Sequence, residues 1–409
     1  PLDVGPSISV FPLPPLSDEQ RAVIDRAAAL ARERFAARAA KYDAESAFPY
    51  ENYRDLHQAR LLALTVPRAY GGVEADPITY VHALREIAKG CSATGLTFNM
   101  HCTVTGLIAA LGTEEHRRRY FVEIVERGAL IASITSEPEQ SFRDKYVLQT
   151  VFRPVPGGYH VAGVKQFCSL GDAADYYFLT GVVEGTTSAR DGVISAIVPR
   201  TDPGVKVEGL WNATGMRGTI SHTIRYDSMV PAANVIGEPG ALFNIDLSGF
   251  ALGYAAVYLG IGEAAFEFMV EYARTKTLKP ATEPMSHHPL VQRTIAEVGT
   301  AIRAARLLLH EAARVRMTGD KEATMLVVNQ AKTYSADVGL MATERALRLA
   351  GGRGILKDLP LERWHRDALA GPVMPPANDR CLETIGKLLC GLRAATLEFQ
   401  SPRPLAVYR

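Results

Sequence analysis

The sequence predicts an α+β protein, mainly α, built in three parts: an N-terminal helical domain, a middle β domain and a C-terminal helical bundle. Three observations carry this. Apolar residues recur at helical spacing up to about Leu130. Beyond that point they form short β-type runs separated by Gly and Pro turns. From Leu242 helical patterning resumes and continues to about Gln400. A chain of 409 residues is long enough for two or three domains with a large core. The expected divisions are an extended arm over 1–16, the helical domain over 17–129, the β domain over 130–241 and the bundle over 242–409.

The arm is Pro-rich, with Phe11-Pro12-Leu13-Pro14-Pro15. Ser17, followed three residues later by Gln20, has the spacing of a capping box, so a helix is expected to start at Asp18. It is predicted to run to about Asp43, with Val23, Ile24, Ala27, Ala31 and Phe35 on its apolar side. Pro67-Arg68-Ala69-Tyr70-Gly71-Gly72 reads as a loop. Helices follow from about Tyr80 to Leu130, interrupted near Gly90 and Gly112. The predicted strands are Leu130–Thr135, Tyr146–Arg153, Tyr176–Val183, Gly192–Pro199 and His222–Tyr226. Two long amphipathic helices, Leu290–Met317 and Glu322–Leu349, mark the bundle.

Hydrophobic residues make up 47% of the chain and the formal net charge is +1. Such a balance provides no bulk field for nucleic acid or a membrane surface. The five cysteines include no C-x-x-C pair, which points to reduced thiols and a cytoplasmic protein. No apolar run is read as long enough to span a membrane, and the N-terminus lacks the order of a signal peptide. No His, Cys, Asp or Glu grouping has metal-ligand spacing.

Several motifs occur in a shared order: Pro67-x-x-Tyr70-Gly71-Gly72, Gly112-Thr113-Glu114-Glu115, Ser136-Glu137-Pro138, Gly215-Met216-Arg217-Gly218-Thr219 with Val230-Pro231, Gly351-Gly352-Arg353-Gly354, and Glu362-Arg363-Trp364-His365-Arg366-Asp367-Ala368. From about Phe48 to Gly391 the chain resembles the acyl-CoA dehydrogenases. That resemblance implies a helical domain, a middle β-barrel domain and a C-terminal four-helix bundle, with a flavin between the last two. Lys165-Gln166-Phe167-Cys168-Ser169 then falls on the family's flavin wall. There an aromatic side chain packs on the isoalloxazine and a hydroxyl bonds its N5. The resemblance assigns these roles to Phe167 and Ser169, and cofactor contacts also to Ser136, Ser141, Lys276, Arg348, Gly351 and Gly352. Cys168, by strand alternation, is expected to point into the packing. In the family a neighbouring subunit meets the flavin at the turn that Gly351-Gly352 resembles, so the resemblance implies a homotetramer.

The family's catalytic glutamate falls on Pro375, and its alternative position on Phe250. Neither residue can accept a proton. With His101 they are expected to line the substrate pocket, while Asp379 or Glu383 could reach in from the following helix. The Phe167/Ser169 pairing is similar to flavin monooxygenases of this fold, such as dibenzothiophene monooxygenase and the amino-sugar N-oxygenases. Together with the missing base, it implies a two-component monooxygenase. Such an enzyme takes reduced FMN or FAD from a separate flavin reductase and forms a C4a-(hydro)peroxyflavin with O₂. Its first expected substrate is an amine, such as a nucleotide-linked amino sugar of antibiotic biosynthesis. The alternatives are aromatic or sulfur oxygenation, or an acyl-CoA dehydrogenase with a relocated base.

Overall fold

The computed structural model describes residues 15–138, 148–186 and 189–392. Six helices form the first domain: α1 (Asp18–Leu30), α2 (Ala36–Glu45), α3 (Tyr50–Gln58), α4 (Pro77–Gly90), α5 (Ser92–Leu111) and α6 (Glu114–Val122). The capping box at α1 forms as expected. Gln20 N donates to Ser17 Oγ at 3.2 Å, and Ser17 N donates to Gln20 Oε1 at 2.9 Å. The long helix predicted to Asp43 is broken by a π-helical turn over Ala31–Phe35. The break lies where α4 crosses: a Cβ on Gly90 would fall 2.5 Å from Ala31 O. The backbones meet there because neither residue carries a large side chain.

The middle domain contains β1 (Ile131–Ile134), β2 (Val151–Val155), β3 (Gly158–Cys168), β4 (Tyr176–Val183), a four-residue helix α7 (Ala189–Gly192), β5 (Val193–Pro199), β6 (Val205–Gly209) and β7 (His222–Pro231). They form one sheet in the order β1-β4-β2-β3-β7-β6, with β5 added on β4. Among the described residues β1, β5 and β6 each have one strand neighbour, so the barrel-like domain expected is a curled, half-closed sheet. Strands β3 and β6 lie outside the predicted runs. β3 mixes polar and apolar residues around Gly163, which is needed because a Cβ there would meet Thr150 Oγ1 at 2.4 Å.

The last domain is α8 (Gly249–Thr275), α9 (Pro289–Arg316), α10 (Lys321–Ala350), α11 (Leu361–Ala368) and α12 (Asn378–Leu389). α8 is its central helix and packs against α4, α5, α9 and α10. Contrary to the sequence reading, α8 is long and apolar enough to cross a membrane. However, 94% of its most apolar window is buried inside the protein, where the other helices cover it. One buried ion cluster joins the two helical domains. Glu263 of α8 accepts from Arg85 of α4 at 2.8 Å and from Arg306 of α9 at 2.9 Å.

Candidate active site

The site is built on the end of β3. Against β7, Lys165 pairs with Ile224 and Cys168 with His222, so β3 spends one extra residue between those pairs. This is a β-bulge. Within it Phe167 adopts φ 55° and its ring turns outward, 56% exposed. Cys168 points into the core, as expected. Behind the bulge, Lys165 Nζ donates to Glu137 Oε1 at 2.6 Å and to Thr135 O at 3.0 Å. Burial lowers the Lys165 pKa, against the pull of Glu137. Glu137 also accepts from Thr150 N at 2.9 Å. This pair fixes the end of β1 to β3, and Gln166 N reaches Ser136 O at 3.0 Å. Ser136 and the Phe167/Ser169 corner are therefore brought together. Ser141 lies outside the described residues.

Ser169 heads a row of hydroxyls drawn from two segments far apart in the chain. Its Oγ lies 3.0 Å from Ser221 Oγ, which lies 2.7 Å from Thr219 Oγ1. Thr219 Oγ1 donates to Met216 O at 2.8 Å. Trp211 Nε1 donates to the same carbonyl at 3.0 Å, and the Trp211 ring stands edge-on to Phe167 with centroids 5.9 Å apart. Met216 N in turn donates to Asp367 Oδ1 at 2.6 Å. The neighbouring Arg366 reaches Asp43 of α2 at 2.6 Å and Thr214 O at 2.7 Å. Arg366 and Asp367 thus tie all three domains together beneath the bulge. The only sequence signal for this was the pair of hydroxyls two residues apart in Thr219-Ile220-Ser221.

The other expected residues lie as follows. His101 is fully buried: its Nδ1 accepts from Ile131 N at 3.1 Å and its Nε2–H donates to Leu62 O at 3.2 Å. Burial holds its pKa down at about 4. Both nitrogens are committed to the main chain, so His101 pins α5 to β1 and has none left for a substrate. Phe250 is half-buried at the start of α8, where Asn99 Nδ2 of α5 donates to its carbonyl at 3.2 Å. One turn on, Tyr254 Oη donates to Met100 Sδ at 3.6 Å. Pro375 is exposed in the loop between α11 and α12. Lys332 holds this loop, donating to Gly371 O at 3.1 Å and to Asn378 Oδ1 at 2.9 Å. Burial lowers its pKa to about 8.

Of the carboxylates just beyond this loop, Glu383 is taken by Arg380 and Lys387. Asp337 accepts from Asn378 Nδ2 at 2.8 Å. Asp379, in the first turn of α12, is exposed, and no hydrogen bond or ion pair engages it among the described residues. Lys276 is half-buried just past α8, and exposed Arg348 is paired with Glu344. At Gly351 and Gly352 an added Cβ would meet nothing within 4 Å.

This donor set fits a flavin ring. An apolar aromatic face is held outward by a bulge, and two residues on stands a hydroxyl, 9% exposed, whose one side-chain partner among the described residues, Ser221, lies behind it.

Three family models cover most of the chain: the acyl-CoA dehydrogenase N-terminal domain over residues 17–127, middle domain over 132–229 and C-terminal domain over 252–373. An acyl-CoA dehydrogenase of Bacillus subtilis is 31% identical over 369 residues, covering 88% of this chain and 95% of the relative. A cyclohexane-1-carbonyl-CoA dehydrogenase of Geobacter metallireducens matches with the same identity and coverage. Butyryl-CoA dehydrogenase of Megasphaera elsdenii superposes with a TM-score of 0.85 at 26% identity, covering 92% of this chain and 99% of its own. A structure described as the electron-transferring flavoprotein of Acidaminococcus fermentans gives 0.84 at 25% identity, covering 92% and 98%.

These matches overturn the expected monooxygenase and N-oxygenase. With it go the antibiotic-pathway amine, the C4a adduct with O₂, the reduced FMN or FAD supplied from outside and the flavin reductase partner. The physical reason is that Pro375 and Phe250 record the loss of two particular proton-acceptor positions, not of every acceptor. A base needs a lone pair within reach, not a fixed place in the chain. Phe167 and Ser169 are an aromatic residue and a hydroxyl, the same chemical types that the resemblance puts at the family's flavin wall, so their pairing does not by itself call for oxygen chemistry. The chain belongs to the acyl-CoA dehydrogenase family.

Proposed function

We propose that the protein is an FAD-dependent dehydrogenase of acyl-CoA thioesters whose proton acceptor has moved. The observation that carries this is the match to the Bacillus subtilis acyl-CoA dehydrogenase across 95% of that relative's length. Phe167 walls the isoalloxazine, Ser169 bonds N5 and Ser136 meets the pyrimidine edge. Lys276 and Arg348 supply positive charge toward the phosphates, with open backbone at Gly351 and Gly352 of a neighbouring subunit in a homotetramer. A bound flavin would supply the acceptor for a hydride from the substrate β-carbon. Asp379 takes the α-proton, because it is the uncommitted carboxylate next to the loop of Pro375. Phe250, Met100 and Tyr254 offer apolar surface that keeps water from the reacting carbons. Electrons leave to an electron-transferring flavoprotein.

The test is anaerobic titration of the holoenzyme with saturated acyl-CoA thioesters of short, branched and cyclic chains. Bleaching of the oxidised flavin band by at least one of them is expected. A flavin that stays oxidised with every thioester would refute the reading.

A further inference from the structure

The hydroxyl row behind Ser169 has a property set by counting hydrogens, and it rests on the reading of Ser169 as the N5 partner. Four contacts run in line: N5 to Ser169, Ser169 to Ser221, Ser221 to Thr219, and Thr219 to Met216 O. The last three span 3.0, 2.7 and 2.8 Å. The three hydroxyls bring three hydrogens, and the Met216 carbonyl brings none. With an oxidised flavin, N5 brings no hydrogen either, so one of the four contacts has none. With a reduced flavin, N5–H supplies the fourth. Ser169 then accepts from N5 and donates to Ser221, Ser221 donates to Thr219, and Thr219 donates to the carbonyl. Every contact is filled in one direction. The row is buried: Ser169 is 9% exposed, Ser221 6% and Thr219 fully enclosed. In the oxidised state the contact without a hydrogen can fall at the Met216 carbonyl, which Trp211 Nε1 still fills at 3.0 Å, whereas in the reduced state each hydroxyl must accept from the one before it.

We propose that Ser221 is a positioning residue that tunes the flavin toward its reduced form, acting through Ser169 and anchored by Thr219. Without the Ser221 hydroxyl, Ser169 still donates to oxidised N5. Once N5 carries hydrogen, Ser169 must accept, and its own hydrogen has nowhere to go. Removing Ser221 therefore penalises the reduced state selectively.

The test is spectrophotometric redox titration of the holoenzyme, independent of turnover. Ser221→Ala is expected to weaken the preference for reduced over oxidised flavin about tenfold, a negative shift of about 30 mV for a two-electron couple. Ser221→Thr, which keeps the hydroxyl, restores the wild-type potential. Should Ser221→Ala fail to hold flavin, Thr219→Val removes the next acceptor and is expected to shift the potential the same way. Ser169→Ala separates this inference from the reading beneath it. If Ser169→Ala moves the potential and Ser221→Ala and Thr219→Val do not, the row is inert and the inference falls alone. If all three bind flavin at the wild-type potential, Ser169 is not the N5 partner and both fall.

Discussion

Replacing Glu263 with glutamine removes one negative charge from the buried cluster joining the two helical domains. Arg85 Nη1 lies 2.8 Å from both carboxylate oxygens of Glu263, and Arg306 Nε lies 2.9 Å from one of them. Burial pushes the Glu263 pKa up, but Arg85, then Arg306 and Lys89, reverse this and hold it at about 2. An unfolded glutamate titrates near about 4.3, and each unit of difference is worth about 1.4 kcal/mol. The ionised carboxylate therefore contributes about 3 kcal/mol to folding. Because the folded pKa is depressed, this contribution is full above the unfolded value and is lost as pH falls toward 2. Glu263→Gln keeps the shape but leaves two buried guanidinium groups with one anion fewer, and an uncompensated buried charge is expensive. Glu86, 2.6 Å from Arg85, remains to soften the loss. The expected cost is about 3 kcal/mol at pH 7, with the gap to wild type beginning to close below about pH 4. Urea denaturation at matched protein and FAD concentrations measures it. A variant within about 0.5 kcal/mol of wild type at pH 7 would refute the reasoning, because it would mean that the cluster's charges are solvated.

Three further outcomes are expected. Asp379→Asn should bind FAD normally and slow flavin bleaching by the best thioester at least about 100-fold in stopped flow, since a positioned base contributes about 10²–10⁴-fold; bleaching at the wild-type rate would place the base elsewhere. Asp367 titrates at about 6, pushed up first by burial and restrained by the Met216 N–H. Its folded pKa is raised, so its stability contribution is full below about pH 4 and lost as pH rises through 6. Asp367→Asn keeps an acceptor for Met216 and should gain about 2 kcal/mol at pH 7.5, fading toward pH 4; a loss at pH 7.5 would show that the ionised form is needed at the junction. His101→Phe strands Leu62 O and Ile131 N in the core and should cost about 2–3 kcal/mol of stability while leaving the KM for thioester unchanged; a raised KM at unchanged stability would return His101 to the pocket.

Local chemistry made much of the fold legible. The capping box at Ser17 and Gln20, strand Tyr176–Val183 and helix breaks near Gly90 and Gly112 depend on residues a few positions apart. The Phe167/Ser169 corner was also legible as a candidate site, through motif order. The role of the hydroxyl row was not. Ser169 and Ser221 are 52 residues apart, and Met216 and Asp367 are 151 apart. No periodicity spans such gaps.

The sequence by itself determined the order helices, sheet, helices, because hydrophobic period and turn residues act over a few positions. It also determined that no carboxylate stands at position 375. Only the tertiary structure decided which groups are exposed and uncommitted. The extra residue of β3 against β7 turns Phe167 outward, and no residue type in the strand encodes that shift. Packing of α5 on β1 spends both nitrogens of His101, and the neighbours of Glu383 and Asp337 leave Asp379 as the uncommitted carboxylate. These are questions of which partner lies within reach of a donor or acceptor, and that is settled by the folding of distant segments onto one another.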